Sequence, residues 1–405
     1  MSDTHVPANA RVRLTTVDGE LRADANVVIE TDGKLTVTGA ARFDGSAEIG
    51  GSLDCASFRS DDGTVRIAGD LIVRDDIQAH DGAVEVRGAL KGRRVDVDRG
   101  LHVGGPAEAE RFEVGGVLEG SGSLTARTVS VGGKFRLAGK LVTESVEAGG
   151  SVDLAEVAIE TLEVGGTVRV GRGTIRKSIE VGGRFLAEGP LEFGSLEVGG
   201  LAEFREAAHG GKIEVGGMLS ANGDLTFESL EIGGVGRIGG FGRGGSVEIG
   251  GKFDVRGALE LTGGLEVGGA ISVGQALTGE RAEVGGKLEA TRAVFARSVE
   301  VGGVITTRDG LKAESIRLRR KSRAQGPLVA VSIEIERGAR VHDLYGEKIQ
   351  IDEKVEARRI FGADVRIRDG ASADEVTYTR SVEIASGARI GAPPRKVDAL
   401  PPFPL

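Results

Sequence analysis

The sequence predicts an all-β fold: a triangular, right-handed parallel β-helix (β-solenoid) of roughly 22 coils with about 17 residues in each. Two observations predict it, a Gly-Gly corner that recurs at a nearly constant spacing and a two-residue alternation of apolar and polar side chains between corners. Glycine makes up 67 of the 405 residues, and aromatic residues make up only 4%. The 40% of hydrophobic residues still suffice for a buried core.

The Gly-Gly corner is a Val-, Ile- or Ala-Gly-Gly triplet in the middle of the chain. Successive triplets lie 16 to 18 residues apart, and 17 is the dominant step. Their first glycines are Gly115, Gly132, Gly149, Gly165, Gly182, Gly199, Gly216, Gly233, Gly250, Gly268, Gly285 and Gly302. A constant step of this length is typical of a solenoid, in which each coil stacks on the one before it.

The same spacing continues beyond the Gly-Gly corners in both directions. Downstream, the markers are Ile316, Ile333, Ile349, Val365 and Val382, and upstream they are Ile49, Ile67, Val86 and Val103. The step from Val103 to Val114 is only 11 residues, about one third of a coil short, which indicates that the glycine corner shifts by one face there. Val12 and Val28 predict two further coils near the start.

Within a coil, apolar residues alternate with polar ones in three short segments. Ile179 and Val181 flank Glu180, and the pairs Phe185 with Ala187 and Leu191 with Phe193 repeat the pattern. We therefore expect three strands per coil, and the dominant step of 17 favours a right-handed helix over the left-handed form built on multiples of six. We expect glycine at the corners because the chain turns sharply there, often at positive φ, where a Cβ atom would clash.

The predicted organisation is one solenoid between two tails. A disordered N-terminal tail covers residues 1–10, a single β-solenoid covers residues 11–391, and a proline-rich C-terminal tail covers residues 392–405. The solenoid divides into irregular coils over 11–103, Gly-Gly coils over 104–303 and coils without Gly-Gly over 304–391.

These repeats resemble those of the bactofilins, a family of polymer-forming cytoskeletal proteins. The resemblance lies in segments such as Ser246-Val-Glu-Ile-Gly-Gly-Lys-Phe-Asp-Val255, in Ser381-Val-Glu-Ile-Ala-Ser-Gly-Ala-Arg-Ile390 and in the proline-rich tail. It covers most of the chain and implies a right-handed β-helix that polymerises without nucleotide into non-polar filaments and scaffolds other proteins. The chain departs from the family in its much greater length and in lacking an apolar segment over residues 1–10, so the resemblance does not by itself imply the membrane attachment of some members.

The sequence offers no catalytic, cofactor-binding or metal-binding motif, so we expect no enzymatic activity and no cofactor. The histidines are scattered without metal-ligand spacing: His5, His80, His102, His209 and His342. Cys55 has no second cysteine to pair with, and we expect it to be a small buried apolar residue. The Gly-Gly corners lack the lysine and the following helix of a phosphate-binding loop.

One outward position of the repeat carries glutamate in ten successive coils. We call this set the acidic ladder: Glu147, Glu163, Glu180, Glu197, Glu214, Glu231, Glu248, Glu266, Glu283 and Glu300. Stacked coils would place these carboxylates in one outward column, where like charges side by side are unfavourable. Two interpretations stay open: a solubility stripe compensated by nearby Arg and Lys, or a docking strip for a basic partner or divalent cations.

A cluster of five positive charges follows where the Gly-Gly corners stop. This basic patch consists of Arg317, Arg319, Arg320, Lys321 and Arg323. It is either a solvated face or a contact for an anionic lipid surface, for nucleic acid or for another filament's acidic strip. The net charge of -9 and the lack of interleaved aromatic residues make nucleic acid the least favoured partner.

The function predicted from these features is a cytoskeletal scaffold that binds to itself end to end. Solenoid ends expose unpaired strand edges, and we expect the polymer interface to include Val12, Leu14, Val382, Ile384 and Ile390. The alternatives are a monomeric binding rod or surface adhesin and, less favoured, a solenoid enzyme acting on polysaccharide or acyl donors. We expect no small-molecule substrate and a cytoplasmic location, with a basic protein partner and membrane association left open.

Overall fold

The structure is a computed structural model that describes residues 3–402. Within this range it contains 44 strands and no helix, and the coils form a parallel β-solenoid of about 23 turns spaced by about 17 residues. The predicted fold class is therefore confirmed. The chain divides into two compact units, with the boundary between Gly200 and Leu201.

Unit 1 contains 25 strands. Its irregular coils are β1 (Thr4–Val6), β2 (Arg11–Arg13), β3 (Thr16–Val17), β4 (Leu21–Ala23), β5 (Val27–Glu30), β6 (Lys34–Val37), β7 (Ala40–Phe43), β8 (Ala47–Ile49), β9 (Ser52–Cys55), β10 (Ser57–Ile67), β11 (Leu71–Val73), β12 (Asp76–Val86), β13 (Leu90–Lys91), β14 (Arg94–Val97) and β15 (Gly100–Val103). Its Gly-Gly coils are β16 (Ala107–Glu108), β17 (Arg111–Val114), β18 (Val117–Gly120), β19 (Leu124–Thr125), β20 (Thr128–Val131), β21 (Lys134–Ala148), β22 (Ser151–Val164), β23 (Thr167–Val181), β24 (Arg184–Ala187) and β25 (Leu191–Val198).

Unit 2 contains 19 strands. The Gly-Gly coils continue as β26 (Leu201–Phe204), β27 (Ala208–Val215), β28 (Met218–Ala221), β29 (Leu225–Ile232), β30 (Val235–Ile238), β31 (Gly242–Ile249), β32 (Lys252–Val255), β33 (Leu259–Leu261), β34 (Gly264–Val267), β35 (Ala270–Val284) and β36 (Lys287–Val301). The remaining strands are β37 (Val304–Leu318), β38 (Arg323–Gln325), β39 (Leu328–Ile335), β40 (Arg340–Ile351), β41 (Glu356–Ile367), β42 (Ser372–Ile384), β43 (Arg389–Ile390) and β44 (Arg395–Lys396).

Each coil contributes a strand to three faces, and the strands of one face stack in register. Face A is the strand that ends just before a Gly-Gly corner, face B follows that corner, and face C is the third. In unit 1, the first strand of face A is β1, which pairs with Leu21–Ala23 of β4. In unit 2, the last strand of face A is the Ser381–Ile384 part of β42, which pairs with Asp364–Ile367 of β41.

The interior of each unit is filled by the alternate side chains that point away from solvent. In one coil of unit 1, Ile179, Val181, Phe185, Ala187 and Leu191 are all buried, while the residues between them are exposed or half-buried. Fully buried phenylalanines recur among these positions. No coil could bury these side chains alone, so stability arises from stacking on its neighbours.

The Gly-Gly corners need glycine for a reason that the sequence did not reveal. We expected positive φ angles, but none of these corner glycines has one. Instead, a Cβ atom at Gly182 would lie 2.5 Å from the carbonyl oxygen of Gly165 in the preceding coil, and one at Gly250 would lie 2.7 Å from that of Gly233. The expectation is corrected: glycine allows close stacking of successive backbones.

Coils without Gly-Gly turn the same corner with a longer turn that contains one left-handed residue. This residue is Lys321, Gly338, Lys354 or Gly370 in successive coils, with φ between 56° and 73°. Farther upstream, Val86 pairs with Val103 on face B, whereas Val114 lies on face A. The glycine corner therefore changes face between Val103 and Val114, as predicted from the short step.

Both predicted tails contain strand. β1 lies within residues 1–10, so the predicted disordered tail is wrong for Thr4–Val6. The proline-rich tail also returns to the solenoid, because Arg395 and Lys396 of β44 pair with Thr377 and Tyr378. The prediction missed both because a two- or three-residue strand carries almost no periodic signal.

Candidate functional site

The outer edge of the last face A strand is open in unit 2. Ser381–Ile384 pairs with β41 on one side, and no strand between residues 3 and 402 pairs with its other side. Ile384 is 36% exposed, whereas Ile367, its neighbour in the same column, is only 2% exposed. Val382 is half-buried, although Val365 beneath it is buried. Two interior side chains are thus left facing solvent at this edge.

The other two faces of this last coil are formed by β43 and β44. Ile390 of β43 pairs with Ala373 on face B, and β44 covers Thr377 and Tyr378 on face C. The amide of Val397 then donates to the carbonyl of Tyr378 over 2.9 Å. Ser381–Ile384, β43 and β44 thus form one last coil, and among residues 3–402 no strand pairs with the outer side of any of the three.

A corresponding edge lies at the first coil of unit 1. β1 pairs with β4 on one side only among the described strands. Val12 and Leu14 are half-buried, and Val12 stands in the column of the fully buried Ile29. The five residues predicted for a polymer interface thus all lie in terminal coils and all retain some exposure. Their role in assembly stays a prediction.

The glutamates of the acidic ladder lie in register on face A. In unit 1, Glu147 pairs with Glu163, which pairs with Glu180, and Glu180 pairs with Glu197. All four side chains are exposed, and none forms an ion pair within the described part of the chain. Adjacent charges at about 4.8 Å repel by about 0.9 kcal/mol at the dielectric constant of water. Within the described residues, these four carboxylates therefore lack the ion pairs with Arg or Lys that we expect of a compensated solubility stripe.

In unit 2 the ladder borders a shallow groove of about 370 Å³. The register runs through Glu214, Glu231, Glu248, Glu266, Glu283 and Glu300. Ion pairs form towards its two ends: Lys212 bonds to Glu214 at 2.9 Å, and Arg319 reaches both Glu283 and Glu300. The three central glutamates have no basic partner among residues 3–402.

The basic patch does not act as one surface. Arg317 stands next to Glu300 in the face A column and forms a 2.7 Å ion pair with Glu334. Arg319 lies 2.6 Å from Glu300 and 2.8 Å from Glu283. The hydrogen bond to Glu300 raises the pKa of Arg319. These two arginines end the acidic ladder and stabilise its last carboxylates.

The other three cations of the patch lie around the corner. Lys321 adopts a φ of 61° in the turn, next to Ser322, whose buried hydroxyl donates to the carbonyls of Arg319 and Val301. Arg323 opens β38 on face B, where it pairs with Arg340 of the next coil. Arg320, Lys321 and Arg323 are exposed. The predicted patch is thus split between face A and the corner leading to face B.

Sequence reasoning missed an aromatic cluster on the outer side of face C. Tyr345 stacks on Phe361 with ring centroids 4.8 Å apart, and Arg359 lies 5.9 Å from the Phe361 centroid. Arg359 also donates two hydrogen bonds to Asp343, at 2.9 and 2.5 Å. These bonds lower the pKa of the Asp343 carboxyl. The available signal was the 16-residue step between the two aromatic residues.

The histidines and the cysteine do not cluster with one another. His5, His80 and His102 each lie within 4.0 Å of one carboxylate. Cys55 is fully buried, as predicted, and burial raises the pKa of its thiol to about 12. Among residues 3–402, no three His, Cys, Asp or Glu side chains are grouped as metal ligands would be. No helix in this range is long and apolar enough to cross a membrane.

Comparisons with known proteins add no relative to this description. No protein-family model matches the chain, and neither a curated protein nor a solved structure matches it. The class defined by the fold is thus a parallel β-solenoid, an architecture compatible with a structural or a binding role.

Proposed function

We propose that this protein is a structural scaffold of the bactofilin type, which assembles end to end without nucleotide into filaments and carries other proteins. The observation that carries the proposal is the open face A edge at Ser381–Ile384, with Ile384 36% exposed in a column whose other members are buried. Exposed edges of this kind template strand addition unless something covers them.

The energetics favour occupation of this edge. Full burial of an aliphatic side chain stabilises by about 1.5–3 kcal/mol, and Val382 and Ile384 would each regain part of that amount. The backbone groups of the strand would also exchange water for a parallel partner, as they do in every interior coil. Val12 and Leu14 offer the same gain at the first coil of unit 1.

Electron microscopy of negatively stained protein tests the proposal. We expect filaments from the unaltered chain and none, or much shorter ones, from Ile384→Asp or Leu14→Asp, because a carboxylate would have to be buried at the interface. Val142→Asp is the matched control, since Val142 is 40% exposed in an interior coil. Filaments of normal length from a chain with both terminal substitutions would contradict end-to-end assembly.

A second candidate function is that of a binding rod with an acidic face. It is favoured by Glu231, Glu248 and Glu266, three neighbouring carboxylates without ion-pair partners among the described residues. Sedimentation velocity separates the candidates, because a rod would remain a single small species at concentrations where the scaffold forms polymers. Binding of oligolysine by the rod, lost on changing these three residues to Gln, would then support the second candidate.

The proposal also includes a cytoplasmic location and a non-enzymatic role. A single buried thiol at Cys55 is compatible with a reducing compartment. Association with an anionic membrane through Arg320, Lys321 and Arg323 is the alternative. Fractionation of cells that express a fluorescent fusion distinguishes them, since charge reversal of these residues would release only a membrane-bound population.

A further inference from the structure

We propose that a groove on face B of unit 2 binds a phosphomonoester group, either as a free phosphate ester or as the headgroup of an anionic lipid. The groove has a volume of about 560 Å³ and crosses four consecutive coils, from β38 to the first part of β42. It shares Arg323 with the basic patch. The inference concerns a binding site and does not depend on filament assembly.

The register of face B brings the basic side chains of this groove together. Arg323 pairs with Arg340 of the next coil in one outward column. His342 and Arg358 are neighbours in the second outward column, because the register on either side of them is continuous. All four side chains are exposed and line the groove. Arg323 and Arg358 lie two coils apart, about 10 Å along the stack, so a group bound between them contacts both long side chains.

The charges in the groove leave a positive surplus. Glu356 neutralises Arg340 at 2.9 Å, and Asp374 is the other carboxylate of the lining. The other two arginines and the histidine form no ion pair with any group between residues 3 and 402. Arg323 and Arg340 stand side by side in register, an arrangement that is unfavourable for like charges. A bound anion would remove this repulsion.

The donor groups of the groove match a phosphomonoester better than a carboxylate. Each guanidinium presents its N–H donors in a planar fork that binds phosphate oxygens in pairs. The His342 imidazole, the Gln325 amide and the Ser372 hydroxyl add further donors to the lining. A phosphomonoester offers three terminal oxygens to these donors, whereas a carboxylate offers two. Among the described residues that line the groove, none is Phe, Tyr or Trp, so a nucleobase would find no ring to stack on.

Equilibrium dialysis against radiolabelled inorganic phosphate tests the site, because the method applies to single chains and to filaments alike. At low and matched ionic strength, we expect saturable binding to the unaltered chain. Arg323→Gln combined with Arg358→Gln should weaken it by about tenfold or more, since hydrogen bonds to charged groups are the stronger ones. The control combines Arg243→Gln with Arg297→Gln, which removes the same charge from two ion pairs outside the groove. Circular dichroism checks that both variants are folded.

Flotation with phosphatidylcholine vesicles, with or without phosphatidic acid, distinguishes the two sources of the phosphate group. Flotation that requires phosphatidic acid and is lost in the groove variant assigns the site to a lipid headgroup. Saturable phosphate binding without flotation assigns it to a free phosphate ester. Absence of saturable binding by the unaltered chain, or an equal loss in the groove variant and the control, would overturn the site and leave the proposed scaffold function untouched.

Discussion

Alanine substitutions at two neighbouring glycines, Gly250 and Gly264, should change the stability of the protein in opposite directions. Gly250 lies in a Gly-Gly corner, where an added Cβ would come within 2.7 Å of the carbonyl oxygen of Gly233. Gly264 lies on a strand in the next coil, where a Cβ would meet nothing within 4 Å. Neither has a positive φ, so backbone conformation does not separate Gly250→Ala from Gly264→Ala, whereas the space for a Cβ atom does.

The magnitude follows from the backbone hydrogen bonds beside the corner. Relieving the clash at Gly250 requires a shift of several tenths of an ångström. That shift strains the bonds from Gly250 to Ile232 and from Lys252 to Gly234, both 3.0 Å long. Each bond contributes about 1 kcal/mol, and alanine recovers about 0.4–1 kcal/mol by restricting the unfolded chain. We expect Gly250→Ala to destabilise by about 1–2 kcal/mol and Gly264→Ala to stabilise by about 0.4–1 kcal/mol.

Hydrogen exchange is the suitable assay, because a stacked array can open locally without unfolding as a whole. Protection of the amides in peptides that cover residues 229–267 should fall in Gly250→Ala and rise or stay unchanged in Gly264→Ala. Denaturant midpoints should move in the same two directions. Equal protection in the two variants would refute the argument that close stacking of backbones makes glycine necessary at this corner.

Two further predictions concern charged groups. Because the folded-state pKa of Asp343 is lowered by its hydrogen bonds from Arg359, its stabilising contribution is complete above the ordinary value of about 4 and is lost as the pH falls through the folded-state value. Acid unfolding followed by circular dichroism should therefore show a smaller loss of stability below pH 4 for Asp343→Asn than for the unaltered chain. For the acidic ladder, changing Glu231, Glu248 and Glu266 together to Gln should stabilise the protein at low salt, since about 0.9 kcal/mol of repulsion is relieved per neighbouring pair. Melting temperatures in NaCl and MgCl₂ at matched ionic strength should converge for this variant, and a Mg²⁺ effect on the unaltered chain well beyond the Na⁺ control would indicate a cation-binding ladder.

The sequence by itself determined the coil, the three strands and the inward columns. A solenoid repeats one local pattern. The step of 17 residues between Val181 and Val198 therefore predicts that these two side chains share a column. The alternation that places Phe185 and Ala187 two residues apart predicts that both point inward. The change of face between Val103 and Val114 was readable for the same reason, since a fraction of a coil corresponds to a face.

Only the tertiary structure decided how side chains meet across coils. The sequence placed the glutamates of the acidic ladder in one column, but only the structure shows that Arg319, from outside that column, reaches Glu283 and Glu300. Among the described residues the central glutamates form no ion pair. The distance between stacked backbones, and not the backbone angle, explains the corner glycines. The pairing of Arg395 and Lys396 with Thr377 and Tyr378 could not be predicted from the sequence either. A two-residue strand forms only where the edge of an existing strand is available for pairing.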